Sequence, residues 1–139
     1  MGGEAVETAL RALRHRDRSA AQIDGYLEAR GVSEHDRSEA LATLSRTGLV
    51  DDRRFADTRA AGLAGRGAGD AFIRHDLRLA GVDDDVIEHA LTALEDERER
   101  AERIVARRGV GLKTARYLAG KGFSEDVVHA VVARARDDA

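Results

Sequence analysis

Asp76-Leu77-Arg78-Leu79-Ala80-Gly81-Val82-Asp83-Asp84 reads as the end of one helix and the start of the next. Glycine closes a helix in the left-handed conformation at little steric cost, and an acid two residues on can cap the following helix and complement its dipole. The same grammar recurs in Tyr26-Leu27 to Gly31-Val32-Ser33-Glu34 and in Tyr117-Leu118 to Gly122-Phe123-Ser124-Glu125. The equivalent glycines lie 50 and 41 residues apart, so the repeats are unequal and lack the fixed period of ankyrin or tetratricopeptide arrays. Each repeat reads as three helices, over 1–50, 51–95 and 96–139. The class is all-α, with about nine helices in an elongated, curved stack whose units meet through neighbouring faces.

Apolar residues between these turns keep helical spacing throughout. Val6, Ala9, Leu10 and Leu13 mark the buried face of a first helix, and Ser19-Ala20-Ala21-Gln22 is a capping box that opens a second with Ile23, Tyr26 and Leu27 inside. Ser33 caps a third helix carrying Ala40, Leu41 and Leu44, which stops at Gly48. Asp51 and Asp52 can cap a fourth that holds Phe55 and Leu63 and ends among Gly65, Gly67 and Gly69. A fifth carries Phe72, Ile73, Leu77 and Ala80, and a sixth starts at Asp83 with Ile87, Ala90 and Leu91. Ala101, Ile104 and Val105 continue that last face, and neither Gly nor Pro stands between Val82 and Arg108, so one long helix or two short ones fit there. The end of the chain reads as a helix with Ala115 and Leu118, then one with Val127, Val128, Val131 and Val132. Phe55 and Leu49 are assigned to the core.

The chain has 139 residues, 42% hydrophobic but only 4% aromatic, so aliphatic side chains must fill that core. It contains no cysteine, which excludes disulfide scaffolds, thiolate metal sites and thiol nucleophiles. His15, His35, His75, His89 and His129 show no metal-ligand spacing, Asp83-Asp84-Asp85 is explained by a helix start, and no acid/base constellation stands out. We expect no enzyme activity, no metal and no cofactor. Neither a leader-like amino terminus nor a membrane-length apolar run occurs, so a soluble cytoplasmic chain without membrane contact is expected. No heptad seam asks for a dimer, and a monomer is expected.

Net charge is -3, against the basic excess of proteins that coat nucleic acid, but the charge is segregated. From Arg103 to Ser124 the cations Arg103, Arg107, Arg108, Lys113, Arg116 and Lys121 meet no carboxylate, whereas the stretch Asp83 to Glu102 is rich in acids. Gly109-Val110-Gly111-Leu112-Lys113-Thr114 has the outline of a phosphate loop, yet Leu112 separates glycine from lysine and a strand is missing. Gly109 to Ala115 is closer to the glycine, apolar, glycine turn of helix-hairpin-helix motifs, whose backbone N–H groups meet a DNA phosphate. A helical DNA-binding domain using the 109–115 turn and the basic stripe 103–121 is therefore a second reading.

Gly48-Leu49-Val50-Asp51-Asp52-Arg53-Arg54-Phe55-Ala56 resembles the Gly-Leu-Leu-Asp-Asp-x-Arg-Phe-Ala signature of the RecX family of bacterial regulatory proteins. Gly67, Gly69, Ile73, Leu77 and Gly81 fall in that family's downstream pattern without a gap, and Ala9-Leu10, Arg18-Ser19 and Lys121-Gly122-Phe123-Ser124 also fit. The resemblance implies a cytoplasmic protein of three helical triplets that binds the RecA filament on single-stranded DNA. It would restrain filament growth, strand exchange, ATPase and coprotease activity without catalysis of its own, direct DNA contact being weak. Gly48, Leu49, Asp51, Asp52, Arg54, Phe55, Gly67, Gly69 and Gly81 would then be structural. Leu63 stands where the family often has arginine, Asp70 where it has proline and Arg59 where an aromatic is common, so the second repeat is less basic than the pattern. Charge and expected exposure nominate Arg66, Arg74 and Arg78 around the fifth helix, with Arg107, Arg108, Lys113, Arg116 and Lys121 in the last unit, as the contact surface.

Overall fold

The computed structural model describes the backbone of residues 2–138 and the side chains of 3–134. Among the described residues there are nine helices and no strand. They are α1 (Gly2–Leu13), α2 (Ala20–Glu28), α3 (Glu34–Arg46), α4 (Asp52–Gly65), α5 (Asp70–Leu79), α6 (Asp84–Thr92), α7 (Glu97–Arg108), α8 (Leu112–Gly120) and α9 (Glu125–Asp138). Each consecutive triplet packs on itself and closes its own core. Ala9, Ile23, Leu27, Ala40 and Leu44 are fully buried in the first, Ala56, Ala60, Ile73, Leu77 and Ile87 in the second, and Ala101 and Leu118 in the third, beside Val131. The accessible surface is 8434 Å². A compact globule of this mass would expose about 7,050 Å², so three small cores in a row leave the body extended.

Helix starts follow side-chain chemistry. Ser19 accepts from Gln22 N while the Gln22 side chain accepts from Ser19 N, completing the capping box, and Ser33 and Asp51 accept from Asp36 N and Arg54 N. Asp83 sits at the N-cap of α6 but makes no side-chain cap bond, and the neighbouring Asp84 is drawn instead to Arg78. The ambiguous stretch after α6 resolves into two helices. Arg100 Nε donates to Glu95 O and stabilises the turn between them, which explains a break without glycine or proline.

Three apolar assignments need correction. Leu49 is 48% exposed: Gly48, at φ 78°, turns the chain so that Val50 enters the core instead. Leu10 is exposed because α1 faces its unit with the small residues Ala5, Ala9 and Ala12, which allow close approach. Phe72 is half exposed on the outer side of α5, while Ile73 and Leu77 supply the inner side. Phe55 is buried as expected.

Consecutive units meet through one joint used twice. In the first, the Ser19 hydroxyl donates to Ala80 O at 2.5 Å and Ala20 N donates to the Asp52 carboxylate at 2.8 Å. In the second, Gly69 N donates to Lys121 O at 2.7 Å, Ala71 N to Gly122 O at 3.1 Å and Asp70 N to the Glu97 carboxylate at 2.7 Å. In both, the first turn of a middle helix seats the closing turn of the next unit's middle helix. An acid from the first residue of the next unit's opening helix satisfies a backbone N–H left over at that helix start. Asp52 thus joins units, and Asp51 alone caps α4.

Glycine makes this approach close. A Cβ at Gly122 would lie 2.6 Å from Phe72 N, one at Gly69 would collide with the Gly122 and Phe123 backbone, and one at Gly81 with the Ala21 side chain. Around Gly31, the matching turn glycine of the first unit, there is open space.

Candidate functional site

The second joint brings together groups far apart in sequence. Arg66 is the C-cap residue of α4, held there because its N–H bonds to the last turn, and Gly67 follows at φ 91°. Opposite stand Arg107 and Arg108, in the last turn of α7, and Tyr117 of α8. Gly65, Arg66, Gly67, Arg107, Arg108 and Tyr117 line a groove of about 320 Å³ with Ile104 in its wall. The Arg108 Cζ lies 3.5 Å from the Tyr117 ring centroid. Lys121 Cε and the Tyr117 hydroxyl lie 3.7 and 3.8 Å from where a Cβ on Gly67 would stand, which places both beside the groove.

Its electrostatics follow from which cations are already engaged. Arg74 forms a two-pronged pair with Glu88 at 2.8 and 3.0 Å, which holds the Glu88 carboxyl below its usual range. Arg78 pairs with Asp84, Arg103 with Glu95, and Arg59 grips Asp76 at 2.7 and 2.9 Å, lowering the Asp76 pKa. Among the described residues, Arg66, Arg107, Arg108, Lys113, Arg116 and Lys121 have no ion-pair partner. Of the nominated contact residues, therefore, Arg74 and Arg78 are neutralised within the second unit. Arg66, Arg107 and Arg108 share the groove with Lys121 beside it, and Lys113 and Arg116 are exposed on α8.

Tyr117 is the groove residue that charge reasoning missed. An aromatic set within a basic run was its signal, since rings between cations suit stacked bases. Arg100 is missed too: it is buried, donates to Ala68 O at 2.8 Å and pairs with Asp70, tying α7 to the second unit. Burial pushes the Asp70 carboxyl up, Glu97 adds to this, and the Arg100 hydrogen bond opposes it.

The turn before α8 has Gly109 and Gly111 at φ 90° and 147°, and Gly111 gives the helix no side-chain cap. His35, Asp36 and Glu39 come together on one exposed turn of α3, where His35 already pairs with Glu39 at 3.7 Å. Among the described residues, no helix is long and apolar enough to cross a membrane.

Residues 51–91 match the family model described as "RecX, second three-helix domain", which spans the second unit. A "Regulatory protein RecX" of Mycobacterium sp. (strain JLS) is 36% identical over 88% of this chain and 76% of its own length. Another, from Halorhodospira halophila, is 32% identical over 97% of this chain and 91% of its length. The chain belongs to the RecX family. Its nine-helix arrangement is the RecX fold as well. The crystal structure of RecX from Lactobacillus salivarius superposes with a TM-score of 0.83 at 22% identity, covering 97% of this chain and 96% of that one. The signature of the RecX family acquires physical content here: Asp51 caps α4, Asp52 joins the units, Phe55 fills the core, and Arg54 pairs with Asp17 and donates to the Gly48 and Leu49 carbonyls.

Proposed function

We propose that this RecX-family chain acts without catalysis of its own, binding the RecA filament on single-stranded DNA. In this reading it restrains filament growth, strand exchange, ATP hydrolysis and coprotease activity as a cytoplasmic monomer. The observation that supports the reading is local charge: among the described residues, Arg66, Arg107 and Arg108 at the second joint and Lys113 and Arg116 on α8 form no ion pair, while Arg59, Arg74 and Arg78 are already held by carboxylates. A protein with net charge -3 has little long-range pull on bare DNA, but a local basic surface suits a filament that presents protein and phosphate side by side.

Co-sedimentation with RecA filaments on single-stranded DNA, beside bare strand and RecA alone at near-physiological salt, tests this. Retention on filaments well above bare strand is expected, and the double reversal of Arg116→Glu with Lys121→Glu should weaken it. Equal retention on bare strand, lost steeply with salt, would overturn the filament reading in favour of plain DNA binding. That second reading draws on the uncapped glycine turn before α8, whose backbone could approach a phosphate closely.

A further inference from the structure

The basic groove at the second joint does not end at Arg107. Gly65, Gly67, Ile104 and Arg107 also line a second hollow of about 680 Å³, which runs between the end of α4, the α6–α7 turn and α7. Ala61, Ala64, Ala93, Leu94 and Ala106 give this part small apolar walls, and the Glu95 carboxylate and Arg103 stand in it as a mutual pair. The two hollows adjoin along their shared wall and together form a cleft with unpaired cations and an aromatic ring at one end and an alanine-rich slot at the other. Its size is that of small-molecule sites, and an apolar slot with a few converging polar groups is their usual chemistry.

We propose that this cleft is a nucleotide-binding site. A phosphate lies between Arg66 of the second unit and Arg107 of the third, with Lys121 at the rim, and the base occupies the alanine-rich slot. The charges fit a phosphate because the cationic end has no carboxylate in its lining, and two arginines offer planar, forked donors. The slot fits a base because Ala61, Ala64, Ala93 and Ala106, together with Leu94, Ile104 and Phe123, give it apolar walls, while Glu95 can accept a hydrogen bond from an exocyclic amine. Gly67 lines both hollows, and its positive φ disfavours any side chain at that point of the wall. A bound phosphate would also brace two units otherwise connected chiefly by backbone hydrogen bonds and Arg100. The nucleotide can be free or part of a strand. The proposal rests on the same basic surface as the filament reading but makes a claim that needs no RecA.

The test uses the full chain with ADP, pyrophosphate and a short oligodeoxyadenylate as probes, read by calorimetry and by anisotropy of the labelled strand over a salt series. Three variants in the cleft carry it, Arg66→Ala, Arg107→Ala and the charge-neutral Ala61→Trp, which fills the slot from an exposed position, with Lys113→Ala and Arg116→Ala as controls outside it. The expected result is measurable binding that each arginine variant weakens about five- to tenfold, with the slope of log affinity against log salt falling by about 0.7 per lost strand contact. Ala61→Trp should weaken ADP or strand but leave pyrophosphate unchanged, which bulk electrostatics would not produce. Binding of ADP alone assigns the cleft to a free nucleotide, and binding of the strand alone to a polymer. Absence of binding by all three probes overturns the site, as does loss confined to Lys113→Ala and Arg116→Ala, which lie outside the cleft. Filament retention persisting in Arg66→Ala with Arg107→Ala, alongside probe binding that never responds to them, would remove the cleft while leaving the filament reading intact.

Discussion

Arg100 shows how much one side chain carries at a joint. It is buried, and its guanidinium serves three acceptors: Glu95 O, Ala68 O and the Asp70 carboxylate. Replacing it by methionine keeps the volume but strands two carbonyls and a half-buried acid, so a loss of about 3 kcal/mol is expected in chemical denaturation. A loss below about 1 kcal/mol would show that solvent reaches these groups freely. Asp76 behaves differently. The Arg59 hydrogen bond, followed by its charge, lowers the Asp76 pKa below the ordinary 3.8, so its ionised form stabilises the fold above that value. This stabilisation disappears as pH falls through the lowered folded value. Because both groups are partly exposed, Asp76→Asn should cost only about 1 kcal/mol near neutrality, and the gap between variant and parent should close in acid, once pH has fallen through the lowered carboxyl value. Denaturation midpoints measured at both pH values check the sign.

Turns separate two roles of glycine that look identical in sequence. Gly31, Gly81 and Gly122 all take positive φ, but only Gly81 and Gly122 also touch the preceding unit. Alanine at Gly31 should cost only the left-handed strain, about 1–2 kcal/mol, whereas alanine at Gly122 must also displace the Phe72 backbone and should cost distinctly more. For Gly81 the collision is with the Ala21 side chain, so Ala21→Gly should recover part of the loss caused by Gly81→Ala, a coupling that a double-mutant cycle measures. Helices and their stops were legible because periodicity, capping serines and closing glycines are local. Joints were not, because their bonds link backbone groups to partners 27 to 61 residues away, and nothing local distinguishes Asp52 as a joint from Asp51 as a cap. The candidate surface was legible as charge only. Arg74 and Arg78 read as free cations until the fold set Glu88 and Asp84 against them, and Arg66 lies 41 residues from Arg107, its neighbour across the groove.

Across the whole molecule, three separate cores and two repeated joints mean that stability is a sum of unit terms and nearest-neighbour terms. Gly69 offers a way to weaken one coupling alone. Its φ is -84°, which alanine adopts without strain, so Gly69→Ala perturbs little except the approach of the Gly122-Phe123 backbone. Hydrogen exchange should then show lost protection at Leu118 and Val131 in the third core, while Ile23 and Leu44 in the first, which lies beyond the other joint, keep theirs. An equal loss in all three cores would mean that the chain opens as one cooperative body and that the joints are as strong as the units they connect. A loss confined to the third core would identify the second joint as the weak link, so that anything bridging Arg66 to Arg107 would preferentially stabilise the closed arrangement of the last two units.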